Sequence, residues 1–326
     1  MDAKIAHSVR VWGALALLLA GLFVFGLLAM VKVQRKAAPE TPFTIGVLIS
    51  GEARAPVVEG MKDGFSALGF SNFRLVIKDA GGDPSKIEAV LGELIKERPD
   101  YILAIGGAEA DALAKAETDI PKFFALVTQP ERHGIAFPGV LSSSPDLMYE
   151  RMEFAQKILP EIKIFTVLTS TTTLGGVIAG EKAREFAAKN PGYSVAILEF
   201  GSPDEIKRFA ETINKNQGVV FAAPATAVAL AFPEILKGAR ARGVPLVAWS
   251  GDLVEQGALF SYGDESSDIG REAAFLLYEA AVKKTPYSGL GIKKVKPALV
   301  INKRIADSLG IRIPSDILKQ AAKIVE

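Results

Sequence analysis

Several loops of this chain carry side chains able to hold a small polar molecule, and each follows a short apolar run. Arg54, in the loop 50–54 that begins with Ser50, offers a guanidinium fork that matches a carboxylate through two hydrogen bonds, unless it is simply a solvated loop cation. Ile105-Gly106-Gly107-Ala108-Glu109 passes from a strand into a helix, where free backbone N–H groups favour a carboxylate or other anion; a tight turn that needs glycine is the plainer reading. Ser170-Thr171-Thr172-Thr173 gathers four hydroxyls, for hydrogen bonds to a polar solute or for capping the next helix. Trp249 and Asp252 put an indole and a carboxylate at the end of one strand, suited to an apolar ring and an ammonium group. Core filling by Trp249 and helix capping by Asp252 are the alternatives. Thr128, Gln129 and Thr226 stand in the remaining loops of this kind.

Other chemistries lack their residues. Cysteine is absent, which removes disulfides, thiolate metal sites and cysteine nucleophiles. The two histidines are His7 and His133, the latter in a QPERHG turn where an exposed loop residue is expected. Neither has a second histidine at metal-ligand spacing, and no G-x-S-x-G elbow accompanies them, so a metal site or a serine hydrolase is not expected. Lys and Arg number 38 against 37 Asp and Glu, interspersed along the chain, which argues against the basic footprint of a nucleic-acid binder. Gly175-Gly176 and Gly180 after a strand, with Glu199 ending the next, imitate a dinucleotide fingerprint, but the spacing is G-G-x-x-x-G. No enzyme activity and no cofactor are expected.

The residues from Val11 to Val31 form an uncharged run bounded by Arg10 and Lys32. At ~1.5 Å per residue it spans roughly 30 Å, the thickness of a bilayer's hydrocarbon core. It exceeds the apolar region of most cleaved signals, so an uncleaved single-span anchor is expected, with a cleaved signal as the alternative. Residues 1–10 then form a flank and 32–41 a linker.

These loops must be positioned by the elements between them. From Phe43 onward, short apolar runs alternate with amphipathic stretches: strands are predicted at 43–49, 73–77, 101–105 and 122–126, then at 164–168, 194–198, 219–222 and 245–249. Asp83-Pro84, Ser144-Pro145-Asp146 and Ser202-Pro203-Asp204-Glu205 read as helix starts. Apolar strands separated by helices imply an α/β fold with parallel sheets covered on both faces, here two doubly wound lobes with a cleft between them. Ligands of such sheets bind beyond the strand carboxyl ends. Lobe one is expected to hold 42–143 plus about 265–285, and lobe two 144–264 plus about 286–326. Ser143, Tyr262 and Asp264 are hinge candidates at the crossovers.

The stretches 57–70 (VVEGMKDGFSALGF), 99–130, 254–274 and 299–321, in that order, resemble the ABC-transporter substrate-binding protein family that includes tryptophan and other aromatic amino-acid binders. The resemblance implies a type I periplasmic-binding-protein fold and an extracytoplasmic receptor that closes on a small solute, an amino acid or related organic anion, and delivers it to an ABC permease. Together with the apolar run it implies a body outside the cytoplasmic membrane, anchored or released to the periplasm. A ligand sensor or scaffold of the same fold is the alternative. Departures fall in the cleft: Gly51-Glu52-Ala53-Arg54 replaces the family's His-Pro pair, Pro224-Ala225-Thr226-Ala227 replaces its Asp and Asn, and Gln129 stands for the Asp of a Thr-Asp-Pro turn.

Overall fold

β-rich apolar runs become strands and the stretches between them become covering helices. The computed structural model describes residues 42–326; the expected flank, apolar span and linker, 1–41, lie outside the described residues. Among the described residues no helix is long and apolar enough to cross a membrane. The first lobe runs β1 (Phe43–Ile49), α1 (Ala55–Ala67), β2 (Phe73–Asp79), α2 (Ile87–Lys96), β3 (Tyr101–Ile105), α3 (Gly107–Lys115), β4 (Lys122–Val127) and β5 (Gly139–Leu141). The second begins with α4 (Met148–Ile158), β6 (Ile164–Ser170), α5 (Leu174–Lys189), β7 (Ser194–Phe200), α6 (Pro203–Ala210) and β8 (Val219–Ala222). It continues through α7 (Thr226–Leu230), α8 (Phe232–Ala241), β9 (Leu246–Ala248), α9 (Gly251–Gln256) and β10 (Phe260–Gly263). The chain then returns through α10 (Ser266–Ala281), α11 (Tyr287–Leu290) and β11 (Ile292–Lys293), and ends with β12 (Ala298–Asn302), α12 (Lys303–Ser308), α13 (Ser315–Gln320) and β13 (Lys323–Val325).

The first sheet orders β11-β5-β4-β3-β1-β2, all parallel, and the second β13-β12-β10-β9-β8-β6-β7. Each sheet is packed on both faces, which is why β1 and β8 are apolar almost throughout rather than alternating. β12 is antiparallel to β10, and its direction has a simple cause. The other strands of the second sheet from β6 to β10 run toward the edge where the chain crosses between lobes; a segment arriving from that edge must run away from it. β11 pairs with β5, so the chain leaves the first sheet after Lys293, later than the position near 286 read from the sequence. A two-residue strand has too little pattern to be seen in advance.

Two expected helix starts hold. Asp83 accepts from the Ser85 N–H at 3.0 Å, through a short 3₁₀ turn that leads into α2, and Ser202 accepts from the Glu205 N–H at 3.4 Å. Ser144 does not cap a helix. Residues 144–147 make a separate turn before α4, and the Ser144 hydroxyl accepts from the Asp264 N–H at 3.2 Å instead. The tertiary bond to the second crossover takes the group that a cap would use.

The returning helix α10 is held to lobe one by a glycine seam. A Cβ on Gly60 would lie 2.1 Å from the Ser267 carbonyl oxygen, and one on Gly270 would lie 2.0 Å from that of Val57, so α1 and α10 touch backbone to backbone. Gly60→Ala is expected to destabilise the protein by about 1–3 kcal/mol through overpacking. Gly92→Ala, on α2 with nothing within 4 Å of its Cβ position, should instead stabilise it by about 0.5–1 kcal/mol. Urea unfolding of the two variants checks this; equal and small effects would contradict the close seam.

Candidate functional site

The carboxyl ends of both sheets meet where the chain crosses between lobes. β5 leaves the first sheet through Ser142–Ser144 and β10 leaves the second through Asp264 and Glu265, each from its carboxyl end. The loops after β1, β3 and β4 therefore open on the same side as those after β6, β8 and β9. Two further bonds tie the facing edges: the Gln129 amide donates to Asp146 Oδ1 at 2.7 Å, and Arg132 Nη1 lies 3.4 Å from Glu181 Oε2 on α5.

At the joint the hinge candidates Ser143, Tyr262 and Asp264 come together around a residue the sequence reading missed. Asp264 Oδ2 accepts from the Ser143 and Ser144 N–H groups, the latter at 3.1 Å. The guanidinium of Arg151, fully buried on α4, donates to the Tyr262 carbonyl at 2.8 Å and the Ser144 carbonyl at 2.7 Å, and reaches that of Trp249 at 3.5 Å. Burial is the largest influence on both ions. It lowers the Arg151 pKa to about 10, with Asp264 and Glu150 opposing, and it raises that of Asp264 against the Ser143 and Ser144 N–H bonds and the charge of Arg151. Arg151 Nη1 and Asp264 Oδ1 make no hydrogen bond. Gly263 is required here, because a Cβ would lie 2.1 Å from the Trp249 carbonyl oxygen. Arg151 shares a helical stripe with Met148, Met152 and Ala155, all buried. A cation on an apolar stripe is the signal that could have found it.

On lobe one, Ser50 Oγ donates to Glu109 Oε1 at 2.5 Å, and Arg54 Nε lies 3.6 Å from the same oxygen. Glu109 is fully buried, while the Arg54 side chain keeps 23% of its surface exposed. Gly106 has φ +118°, and a Cβ there would lie 2.5 Å from Glu109 Oε2 and 2.9 Å from Arg54 Nη2, so only glycine fits between them. This changes the expectation for Gly107 and Ala108. The negative charge of Glu109 beside this helix start opposes an anion there, and Arg54 lies against that carboxylate. His133 is not the exposed loop residue expected: its side chain keeps 14% exposure and its Nδ1 lies 2.8 Å from Asp111 Oδ1, against the start of α3. Thr128 is buried, and Gln129, at φ +47°, spends its amide on Asp146 and Arg132.

On lobe two, Ser170 is buried and donates to the Phe200 carbonyl at 2.8 Å, whereas Thr171 and Thr172 are exposed and Thr173 caps α5. Thr226 and Asp252 are exposed in the first turns of α7 and α9. Trp249 is half-buried, edge-on to Phe232 with ring centroids 5.7 Å apart. The Gly251 N–H donates to Glu265 at 2.8 Å; burial foremost raises that carboxyl's pKa, with the N–H bond opposing and Asp252, Asp268 and Glu255 adding to it. The glycines of the dinucleotide-like stretch serve packing: a Cβ on Gly176 would lie 2.0 Å from the Ser170 carbonyl oxygen, and Glu199 pairs with Arg184.

Because the folded pKa of Asp264 is raised above the ordinary 3.8, its contribution to stability is fully present below that value and is lost as pH rises through the folded value. Asp264→Asn keeps an acceptor for the two N–H groups but does not titrate. The stability of the parent protein relative to this variant, from urea unfolding, is therefore expected to fall as pH rises above 3.8. A difference independent of pH would contradict a buried, titrating Asp264.

Residues 43–325 match the family described as ABC transporter substrate binding protein, and the chain belongs to that family. A curated relative, the tyrosine-binding protein of Clostridioides difficile, is 22% identical over 234 residues, 70% of this chain and 66% of the relative. The matched region thus spans just under two thirds of that protein's length. A conserved domain protein from Vibrio cholerae has a crystal structure that superposes with TM-score 0.76 at 25% identity, covering 87% of this chain and all of that one. An ABC domain from Streptococcus pneumoniae, solved with L-Trp, gives the same TM-score and coverage at 22% identity. The fold is of the type I periplasmic-binding-protein kind.

Proposed function

We propose that this member of the ABC transporter substrate-binding family is the solute receptor of an ABC importer, and that it binds a small solute, an amino acid with an aromatic side chain or a related organic anion, between its lobes. The family match over 43–325 carries the reading. Closure turns about the joint of Arg151 and Asp264, and no reaction is catalysed. Arg54 takes the ligand carboxylate through its outer guanidinium nitrogens, backed by Glu109, and Asp252 takes the ammonium group. Trp249 presents its exposed part to the aromatic ring, with Thr171, Thr172 and Thr226 supplying hydroxyls. A tyrosine-binding relative and a relative solved with L-Trp support this ligand class.

The partner is an ABC permease, and the body lies on the extracytoplasmic side, tethered by 11–31 as a single-pass anchor or released to the periplasm if that segment is cleaved. A ligand sensor or scaffold without transport is the second reading, favoured by the carboxylate that Glu109 places at the start of α3.

Thermal unfolding and calorimetric titration of the full chain with amino acids, small organic acids and polyols test the proposal. L-Tyrosine or L-tryptophan at ~100 times its dissociation constant should add about 2.7 kcal/mol of stability. Arg54→Ala should weaken that binding about tenfold or more, the worth of a charge-assisted pair. Binding of polyols alone, or of no amino or organic acid, would overturn the ligand assignment.

A further inference from the structure

We propose that lobe two carries a second ligand site, separate from the cleft, for a small amphipathic organic anion. A cavity of about 460 Å³ lies between α8, the entry of β9, the end of α9 and α12, within the volume range of roughly 300–1,000 Å³ typical of small-molecule sites. β9 points its carboxyl end at the cleft, so Leu246, its first residue, places this cavity at the opposite edge of the sheet. The site does not depend on which solute the cleft takes.

Its chemistry is one-sided. Ala239, Val244 and Leu246 form a buried apolar floor and Ile305 and Leu309 a wall, while Arg240 and Arg304 bring two guanidinium groups and no acid lines the cavity among the described residues. Neighbouring cations are occupied: Arg242 donates to the Glu211 carbonyl at 2.7 Å, and Lys303 pairs with Asp307 at 2.6 Å. Arg240 and Arg304 have no acidic partner among the described residues. Gly257, at φ +132°, leaves room for the Arg240 guanidinium, since a Cβ there would lie 2.4 Å from its Nη2. Both guanidinium groups are exposed at the rim without an acidic partner, so a bound anion can pair with them while an apolar body covers the floor. A carboxylate or similar head between the two arginines, with a short hydrocarbon or aromatic tail inward, satisfies both surfaces.

The full chain in lipid nanodiscs, titrated calorimetrically with hexanoate against empty nanodiscs, tests the site; a parallel series carrying Arg54→Ala separates occupancy of the cleft. Saturable binding is expected, weakened about tenfold or more by Arg240→Ala with Arg304→Ala and less by the corresponding Lys substitutions. Both arginines are exposed, so the double alanine variant should keep its unfolding temperature. Hexanol and inorganic phosphate should each bind about tenfold or more weakly than hexanoate, because each lacks one half of the recognition. Phosphate binding as tightly as hexanoate would overturn the amphipathic assignment. Absence of saturable hexanoate binding, or equal binding by the double alanine variant, would overturn the site itself.

Discussion

Two buried ions at the crossing point, Arg151 and Asp264, hold together the segments on which everything else turns. Removing an arginine and an aspartate from water is unfavourable unless their hydrogen-bonding groups are met, and here backbone groups from both crossovers meet most of them. The arrangement is specific because each ion reads main-chain direction: Asp264 takes N–H groups that start the second lobe, and Arg151 takes carbonyls at Ser144 and Tyr262. An apolar cluster in the same space would not fix that register. The atoms left without partners, Arg151 Nη1 and Asp264 Oδ1, leave the joint less than fully satisfied.

From that joint, strand direction decides the position of the site. Both lobes send their parallel strands toward the crossing edge, so the loops that follow β1, β3, β6 and β9 face one another without further instruction. The same rule forces β12 to run backward. The electrostatics of the edge then follow from two side chains: Glu109 brings a buried carboxylate to the start of α3, and Arg54 lies against it from the loop after β1.

The alternation of strands and helices was legible because fully covered parallel strands are apolar runs, and all eight predicted strands appear, three with the predicted bounds and five with ends shifted by one or two residues. β5, β11 and β13 escaped it, each of three residues or fewer, and so did the five-residue β12, which lies in the returning tail rather than in the strand–helix alternation. Ser144 was misread because its capping signature is local while its bond to Asp264 spans the chain. The loops of the candidate site were legible from topology alone, but the commitments of their side chains were not. Ser170 faces Phe200, Gln129 faces Asp146, and Glu109 turns inward; each depends on a partner distant in sequence.

In the proposed function the lobes close on a solute about the Arg151 and Asp264 joint. The chain has no cysteine, so spin labels on Glu88→Cys in lobe one and Arg208→Cys in lobe two report one distance without interference. Pulsed electron–electron resonance with and without saturating L-tryptophan or L-tyrosine measures it most directly. Closure gives a shorter and narrower distance distribution with ligand bound; an unchanged distribution in a protein shown to have bound its ligand would rule it out.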